Sequence, residues 1–461
     1  MIADLKPYAE YKTPGLPWLD AVPKHWDMIP NRAVMQDQRE VVGENAPAYT
    51  LLSLTLRGVI ARDMENPKGK FPAQFNSYKI VRPDDFVFCL FDIDETPRGV
   101  GLSRQRGMIT GAYDVFSPRR GTNPRFLYYY YLFLDEGKLM KPLYTGLRKT
   151  IQRGTFASLK APCPPPDEQA AIVRFLDWAN GRLERAIRAK RKVIALLGEQ
   201  KQAIIHRAVT CGLDPSVPLK PSGVPWLGDI PQHWMIVRAK YLFREADERS
   251  AAGREELLSV SHLTGVTPRS EKNVTMFKAA SYIGHKLCQP GDLVVNTMWA
   301  WMGALGVARH VGIVSPAYAV YRPHRPGSIT GPYMECLLRS TPYVSNIICR
   351  STGMRASRLR LYPEEFLRLP IAQPPEEEQQ RIVEAIQVET AALSSAISRL
   401  AREIDLLREY STRLVADVVT GKLDVREAAA RLPDEAPLDT VEEDADLSDE
   451  IDVAGEEATV E

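Results

Sequence analysis

The chain has 461 residues, 44% apolar and 25% charged, enough for two or more domains with full cores. It has no run of about 18 apolar residues, and Met1-Ile2-Ala3-Asp4-Leu5-Lys6 lacks the basic and then apolar regions of a signal peptide, so no membrane role is expected and the cytoplasm is the expected compartment. The formal net charge of +1 hides an asymmetry: Pro433–Glu461 holds 13 acidic residues and no Lys or Arg, leaving residues 1–432 with 59 basic against 45 acidic residues, a net of +14.

A body this basic suits a polyanionic partner, a solvated basic surface being the bland reading. The acidic end cannot bury enough apolar surface to offset chain entropy, and residues 426–461 read as a disordered tail. Cys89, Cys163, Cys211, Cys288, Cys336 and Cys349 are scattered without a CxxC pair, which points to buried thiols rather than a zinc site or disulfide framework.

Taken in order, the chain is a tandem duplication. Gly15-Leu16-Pro17-Trp18-Leu19-Asp20-Ala21-Val22-Pro23-Lys24-His25-Trp26 returns as Gly223-Val224-Pro225-Trp226-Leu227-Gly228-Asp229-Ile230-Pro231-Gln232-His233-Trp234, displaced by 208. Tryptophans, prolines and a histidine at fixed spacing predict an extended segment pinned by aromatic anchors. His25 and His233 have no nucleophile or acid pattern attached and are expected to hold structural hydrogen bonds. Leu51-Leu52-Ser53-Leu54 with Gly58-Val59 recurs as Leu257-Leu258-Ser259-Val260 with Gly265-Val266, an apolar strand and a turn. Pro83-Asp84-Asp85-Phe86-Val87-Phe88 answers Pro290-Gly291-Asp292-Leu293-Val294-Val295, a turn feeding a buried strand. Gly107–Phe116 then answers Gly312–Tyr321 at a displacement of 205, so the frames agree while loops gain and lose residues.

Short helical stretches near Arg125–Lys138 and Tyr333–Ser345 precede Thr145-Gly146-Leu147-Arg148 and Thr352-Gly353-Met354-Arg355. There the glycine permits close backbone approach, and Arg148 or Arg355 suits a phosphate or a base edge. Lys149, Arg153, Arg358 and Arg360 make both neighbourhoods basic, a solvated turn being the alternative. Further candidate DNA contacts lie in loops where the copies diverge: Arg57, Arg62, Lys68, Lys70 and Gln74 in the first domain, Arg269, Lys272, Asn273 and Lys278 in the second. Trp299 and Trp301 either approach a base step or pack into the core, and packing is the expectation.

Each copy closes in a long helix that begins at Pro165-Pro166-Asp167-Glu168-Gln169 or Pro374-Pro375-Glu376-Glu377-Glu378-Gln379, where the acids suit the positive end of the helix dipole. At a displacement of 210, Ile172, Leu176, Leu183, Ile187, Ile194, Leu197 and Ile204 superpose on Ile382, Ile386, Leu393, Ile397, Ile404, Leu407 and Leu414. These steps of 3, 4 and 7 mark one apolar stripe on a rod of roughly 65 Å. Both helices end at a Thr followed within two residues by Gly. The expected organisation is a recognition domain over 1–166, a helix over 167–210, a second domain over 211–375, a helix over 376–425 and the acidic tail.

From about residue 10 to 425 these phrases resemble the specificity subunits of type I restriction-modification systems. The resemblance is carried by Asp92-Ile93-Asp94-Glu95-Thr96-Pro97-Arg98 running to Gly107-Met108-Ile109-Thr110-Gly111-Ala112-Tyr113, by Asn296–Val307 running to Gly312–Tyr318, by Thr352–Leu359 and by the two helix starts. It implies an α+β chain with two target-recognition domains of mixed α/β structure, separated by two long antiparallel helices that form an intramolecular coiled-coil spacer with an internal pseudo-twofold. Matched stripes are compatible with that packing, and equally with an intermolecular coiled coil. The resemblance further implies double-stranded DNA, two modification (methyltransferase) subunits and restriction or translocase subunits as partners. S-adenosylmethionine, ATP and Mg²⁺ would then belong to those partners, with no cofactor in this chain. The acidic tail is no part of the family pattern.

No GxxxxGK[ST] loop, HExxH or Asn-Pro-Pro-Tyr-like segment occurs. A nuclease site in Pro83-Asp84 with Glu136-Gly137-Lys138 is a weak signal, since Asp84 already has a turn explanation and its counterpart is Gly291. Three classes stand: a non-catalytic DNA-reading subunit, which is favoured; a self-contained nuclease or methylase, betrayed by cofactor-dependent turnover; and a helical scaffold that binds proteins alone, betrayed by indifference to DNA.

Overall fold

The structure, a computed structural model, describes residues 5–62, 74–93, 95–146, 149–271, 281–325, 329–353 and 359–433. Of the candidate DNA contacts, Lys68, Lys70, Arg148, Lys272, Asn273, Lys278, Arg355 and Arg358 lie outside the described residues, as does 434–461. Among the described residues two compact units emerge, one built on residues up to Ala189 and from Arg402 to 433, the other on Lys190–Ala401. Each unit therefore takes one domain of mixed α/β structure and a part of both long helices, so unit borders fall inside the helices rather than at their ends.

The first domain is organised on a four-stranded antiparallel sheet in the order Met35–Gln38, Asp114–Pro118, Phe86–Phe88, Val100–Leu102. The second repeats it as Phe243–Glu245, Ala319–Pro323, Leu293–Val295, Leu305–Val307. Phe86-Val87-Phe88 and Leu293-Val294-Val295 are apolar at every position because both faces of these inner strands are covered. The smaller ladders recur as well: Lys79–Val81 pairs with Gly107–Ile109, and Lys286–Cys288 with Gly312–Val314. In each copy the strand leading to the long helix, Lys160–Cys163 or Pro370–Gln373, returns to pair near the start of its domain with Asp27–Pro30 or Met235–Arg238.

A helix covers each sheet. Asn123 caps Pro124–Glu136 by accepting the amides of Arg125 and Phe126, and the helix buries Phe126, Leu127, Tyr130, Tyr131 and Leu134. Tyr131 and Phe156 close on the Phe88 ring with centroids at 5.0 and 4.8 Å. In the second domain the stretch read from the sequence as one helix near Tyr333–Ser345 is two, Gly331–Leu338 and Thr341–Arg350. Pro342 explains the break: proline fits the first turn of a helix and not its interior.

The long helices span Pro166–Cys211 and Glu376–Val419. Gly421, at φ +75°, stops the second helix six residues short of the expected boundary at 425. The tail boundary also needs correction, because Arg426–Ala430 is helical, Val425, Ala428 and Ala429 are buried in the first unit's core, and Leu432 is buried as well. Alanines and leucine supply the apolar surface there. The apolar stripe is buried at the domain ends, at Ile172, Leu176, Ile382, Ile386 and Leu414, and again at Ile404. Leu183, Ile187, Ile194, Leu197, Ile204, Leu393, Ile397 and Leu407 are half-buried. Within the first unit the Ser411 hydroxyl and the Asn180 amide oxygen lie 2.9 Å apart, and within the second Lys201 donates to Ser394 at 3.0 Å, so in each unit the two helices touch. No helix among the described residues is long and apolar enough to cross a membrane.

Candidate nucleic-acid interface

The repeated entry segment and the repeated Glu-Gln pair meet where domain joins helix. Glu168 is buried and accepts from the Trp26 indole at 2.9 Å and the Tyr8 hydroxyl at 2.5 Å, with His25 Nε2 at 2.8 Å. Glu378 repeats this with Trp234 at 3.1 Å and His233 at 2.6 Å. The next residue ties the helix start to the domain helix. The Gln169 amide donates to Pro164 O and accepts from Asn123 N, and the Gln379 amide donates to Pro374 O and accepts from Thr330 N. Gly212 and Gly421, just past the ends of the helices and both at positive φ, lie against Trp234 and Trp26 respectively. In each unit the start of one long helix and the end of the other thus seat on the same Pro-x-x-Trp segment, which makes them antiparallel there. The histidines are structural hydrogen-bonding groups, as expected. The carboxylate and amide roles went unread, because acids in a first helical turn already have a dipole explanation.

Beyond this joint each domain carries a hairpin and a loop. The hairpin is Leu52–Thr55 with Gly58–Ala61, or Leu258–Ser261 with Gly265–Pro268. It lies so close to the neighbouring strand that a Cβ at Gly101 would come 2.6 Å from Leu54 Cδ1 and Val59 Cγ2, and one at Gly306 would come 2.9 Å from the Val266 amide nitrogen. Arg57 is exposed at the turn of the first hairpin. Arg62 and Arg269, read separately from diverging loops, are equivalent: each follows its hairpin's second strand and donates its amide to Leu51 O or Leu257 O at 2.8 Å. Gln74 is exposed.

The loop holding the Thr-Gly-x-Arg phrase is closed by backbone pairing of Thr145 with Thr150, and of Thr352 with Arg360. The residue after each closure binds back to the sheet, Ile151 N to Leu90 O at 2.8 Å and Leu361 N to Thr297 O at 2.9 Å. Lys149 reaches Glu95 at 2.9 Å. Asp114, nearly buried, holds both Lys79 at 3.2 Å and the half-exposed Arg153 at 2.6 Å. In the second copy Ala319 stands at the position of Asp114. Lys286 turns instead to Asp247 at 3.4 Å and Glu245 at 3.5 Å. Lys79 and Lys286 were missed in the sequence, although a lysine recurring inside apolar strands signals a buried ion pair.

Trp299 and Trp301 are not core residues. Ala300 between them is fully buried, while the two half-buried indoles stack with centroids 5.7 Å apart and the Trp301 indole donates to Met298 O at 2.9 Å. The weak nuclease triad dissolves: Asp84 is in an exposed turn at φ +65°, Glu136 faces Arg98 at 3.6 Å, and Lys138 binds Asp135 and Thr96 O. Among the described residues no group of three or more His, Cys, Asp or Glu is placed to hold a metal. Burial pushes the Cys288 and Cys336 thiols up to about 11, well away from a reactive thiolate, whereas Cys349 is exposed, against the expectation of buried thiols throughout.

Compared with known proteins, the sequence matches no family model and no curated protein sequence. Its architecture matches a chain from a structure concerned with complex assembly and conformational transition of the type I restriction-modification system, at a TM-score of 0.56 and 15% identity, over 87% of this chain and 99% of that one. The two chains share a fold. Looser likenesses are to the HsdS subunit from Thermoanaerobacter tengcongensis (TM-score 0.37, 17% identity, 87% of this chain and 98% of that one) and to the type I restriction-modification S subunit from M. genitalium (0.33, 11%, 94% and 100%).

Proposed function

We propose that the chain is the non-catalytic, sequence-specific DNA-binding subunit of a type I restriction-modification complex. It reads a bipartite double-stranded target and positions two modification subunits and the restriction subunits. One observation carries this reading: a single domain architecture occurs twice, each copy seated by the same Trp-Glu contact on the start of one long helix and beside the end of the other. Two readers of one fold, set apart by an intramolecular helix pair, suit two half-sites that the duplex separates by about one helical turn, near 34 Å. The turns of the hairpins and the loops of the Thr-Gly-x-Arg phrases differ in length between copies, and so are the candidate readers of base edges. Lysines and arginines of the +14 body would fix register on phosphates. S-adenosylmethionine, ATP and Mg²⁺ are assigned to the partners.

Exchange of residues 15–166 for the equivalent span of a similar protein tests the proposal. The exchange keeps both frame junctions, so one half of the methylated target should change while the other stays. A methylome in which both halves change together would overturn the partition. The purified chain should bind duplex DNA with steep salt dependence, roughly −0.9 in log K against log salt per neutralised phosphate. Turnover by the chain freed of partners would favour a self-contained enzyme instead.

A further inference from the structure

The two hairpins are one element held in two ways. In the first, the turn between Leu52–Thr55 and Gly58–Ala61 is closed on itself: the Thr55 hydroxyl donates to Gly58 O at 3.1 Å and accepts from the Arg57 amide at 3.2 Å. A Cβ at Gly58 would meet nothing within 4 Å among the described residues. In the second, the turn between Leu258–Ser261 and Gly265–Pro268 also carries a local bond, from the Leu263 amide to the Ser261 hydroxyl at 3.1 Å, but it is tied in addition to the helix Gly331–Leu338. Arg339, which ends that helix, donates from one guanidinium nitrogen to both His262 O and Leu263 O, the latter at 3.1 Å, and from another to Glu335 at 3.0 Å. A Cβ at Gly265 would come 2.5 Å from Glu335 Oε1 and 3.3 Å from Arg339 Nη1.

Two residues make the difference. Asn123 and Thr330 answer each other, since each donates its amide to the glutamine at the start of a long helix, and at that displacement of 207 Tyr128 and Leu132 stand where Glu335 and Arg339 stand. Leu132 has no donor to offer a turn carbonyl. Arg339 is itself well anchored: its amide bonds Glu335 O at 3.1 Å, and Tyr333, Met334, Leu337 and Leu338 bury the helix in the second unit's core. The salt bridge to Glu335 orients the planar guanidinium, so that a further N–H edge meets the turn. The clamp takes only backbone carbonyls. Leu263 is 69% exposed and Thr264 is exposed as well, so their side chains face solvent while the backbone is held.

We propose that Arg339 is a positioning residue for recognition: it fixes the second hairpin's turn before DNA arrives, whereas the first hairpin's turn is ordered by its own half-site. The consequence for recognition rests on the DNA-reading proposal; the held turn rests on the contacts of Arg339 alone. A turn fixed in advance loses less conformational freedom on binding. It also keeps its exposed side chains in one register, so a wrong base meets the geometry made for the right one and is refused, where a loose turn would shift to accommodate it.

Two variants of the full chain test it: Arg339→Leu, the residue that the first copy bears, and Arg339→Lys, which keeps a cationic donor at the same helix end. Hydrogen exchange reads the turn without DNA. In the parent chain the amides of residues 262–264 should be protected about tenfold more than those of residues 56–57; Arg339→Leu should lose that protection, Arg339→Lys should keep most of it, and residues 56–57 should not change in either. Recognition is read from the bases methylated in cells whose only source of this chain is the variant. Arg339→Leu should raise methylation of sites altered at one base of the second domain's half, the half that exchange of residues 15–166 leaves as it was, by about tenfold. Sites altered in the other half should not change, and Arg339→Lys should restore the preference. Unchanged protection of residues 262–264 in Arg339→Leu would overturn the held turn. Lost protection with an unchanged second half, or a lower unfolding midpoint with methylation reduced at every site alike, would overturn the role in recognition. A parent chain that confers no sequence preference in either half would overturn the DNA-reading proposal and that role together, while the exchange rates would still decide whether Arg339 holds the turn.

Discussion

Glu168 accepts the indole N–H of Trp26 at 2.9 Å, and the same carboxylate oxygen receives the hydroxyl of Tyr8 at 2.5 Å. Burial and that hydrogen bond push the Tyr8 hydroxyl well above its ordinary range, which keeps it a donor across the working pH range. One carboxylate therefore joins the entry segment, the N-terminal strap and the first long helix. Its counterpart Glu378 serves Trp234 and His233, and its side chain is 14% exposed against 4% for Glu168.

Glu168→Ala leaves two donors stranded, a largely buried tyrosine hydroxyl and a buried indole, and should cost about 2–4 kcal/mol. Glu378→Ala strands one buried indole beside an exposed imidazole and should cost about 1–2 kcal/mol. Urea titrations of the two variants check the order. Equal losses would show that the extra Tyr8 contact adds nothing.

Two glycines that look alike in the repeat should differ in tolerance. A Cβ at Gly101 meets side-chain ends of Leu54 and Val59, which can rotate, whereas at Gly306 it meets the backbone at the Val266 nitrogen and Gly265 Cα, at 2.9 and 3.0 Å. Gly306→Ala should therefore displace the second hairpin and cost about 1–3 kcal/mol, with Gly101→Ala at the low end of that range or below it. Thermal unfolding reads the stability, and loss of selectivity confined to one half-site reads the hairpin position.

The helix stripe was legible in its period but not in its depth. Ile404 is buried, at 6% exposure, and Leu407, three residues on, is half-buried. Ile404→Glu should cost about 3 kcal/mol or more, as an unpaired buried carboxylate does, and Leu407→Glu nearer 1 kcal/mol because its charge can reach water. Circular dichroism against urea distinguishes them.

What the sequence showed, and what it hid, follows from the range of the interactions. The duplication, both long helices and the strand phrases rest on local pattern, and each has its element at the expected place within a few residues. The Glu-Gln joint was hidden because its partners, Trp26 and Asn123, are 142 and 46 residues away from Glu168 and Gln169. The Arg153–Asp114 ion pair was hidden because nothing near Arg153 in sequence announces Asp114. The helix Arg426–Ala430 was hidden by the acidic run that follows it, which dominates composition over the whole stretch.

Arg62 and Arg269 make the most specific claim on recognition, because the fold makes them equivalent where the sequence left them unrelated. Each leaves a hairpin whose second strand is locked by the same backbone bond, to Leu51 O or Leu257 O. Each would therefore meet the same part of its own half-site. Arg62→Ala and Arg269→Ala should each relax selectivity at one base position of one half-site by about 1–3 kcal/mol, at the same position counted from the centre of the target, and leave the other half unchanged. If the arginines hold phosphate instead, each substitution should weaken binding to all sequences alike and lower the salt slope by about 1. Binding selections over randomised half-sites at two salt concentrations separate these outcomes. Relaxation at unrelated positions in the two halves would break the equivalence, and with it the idea that the copies read DNA in the same frame.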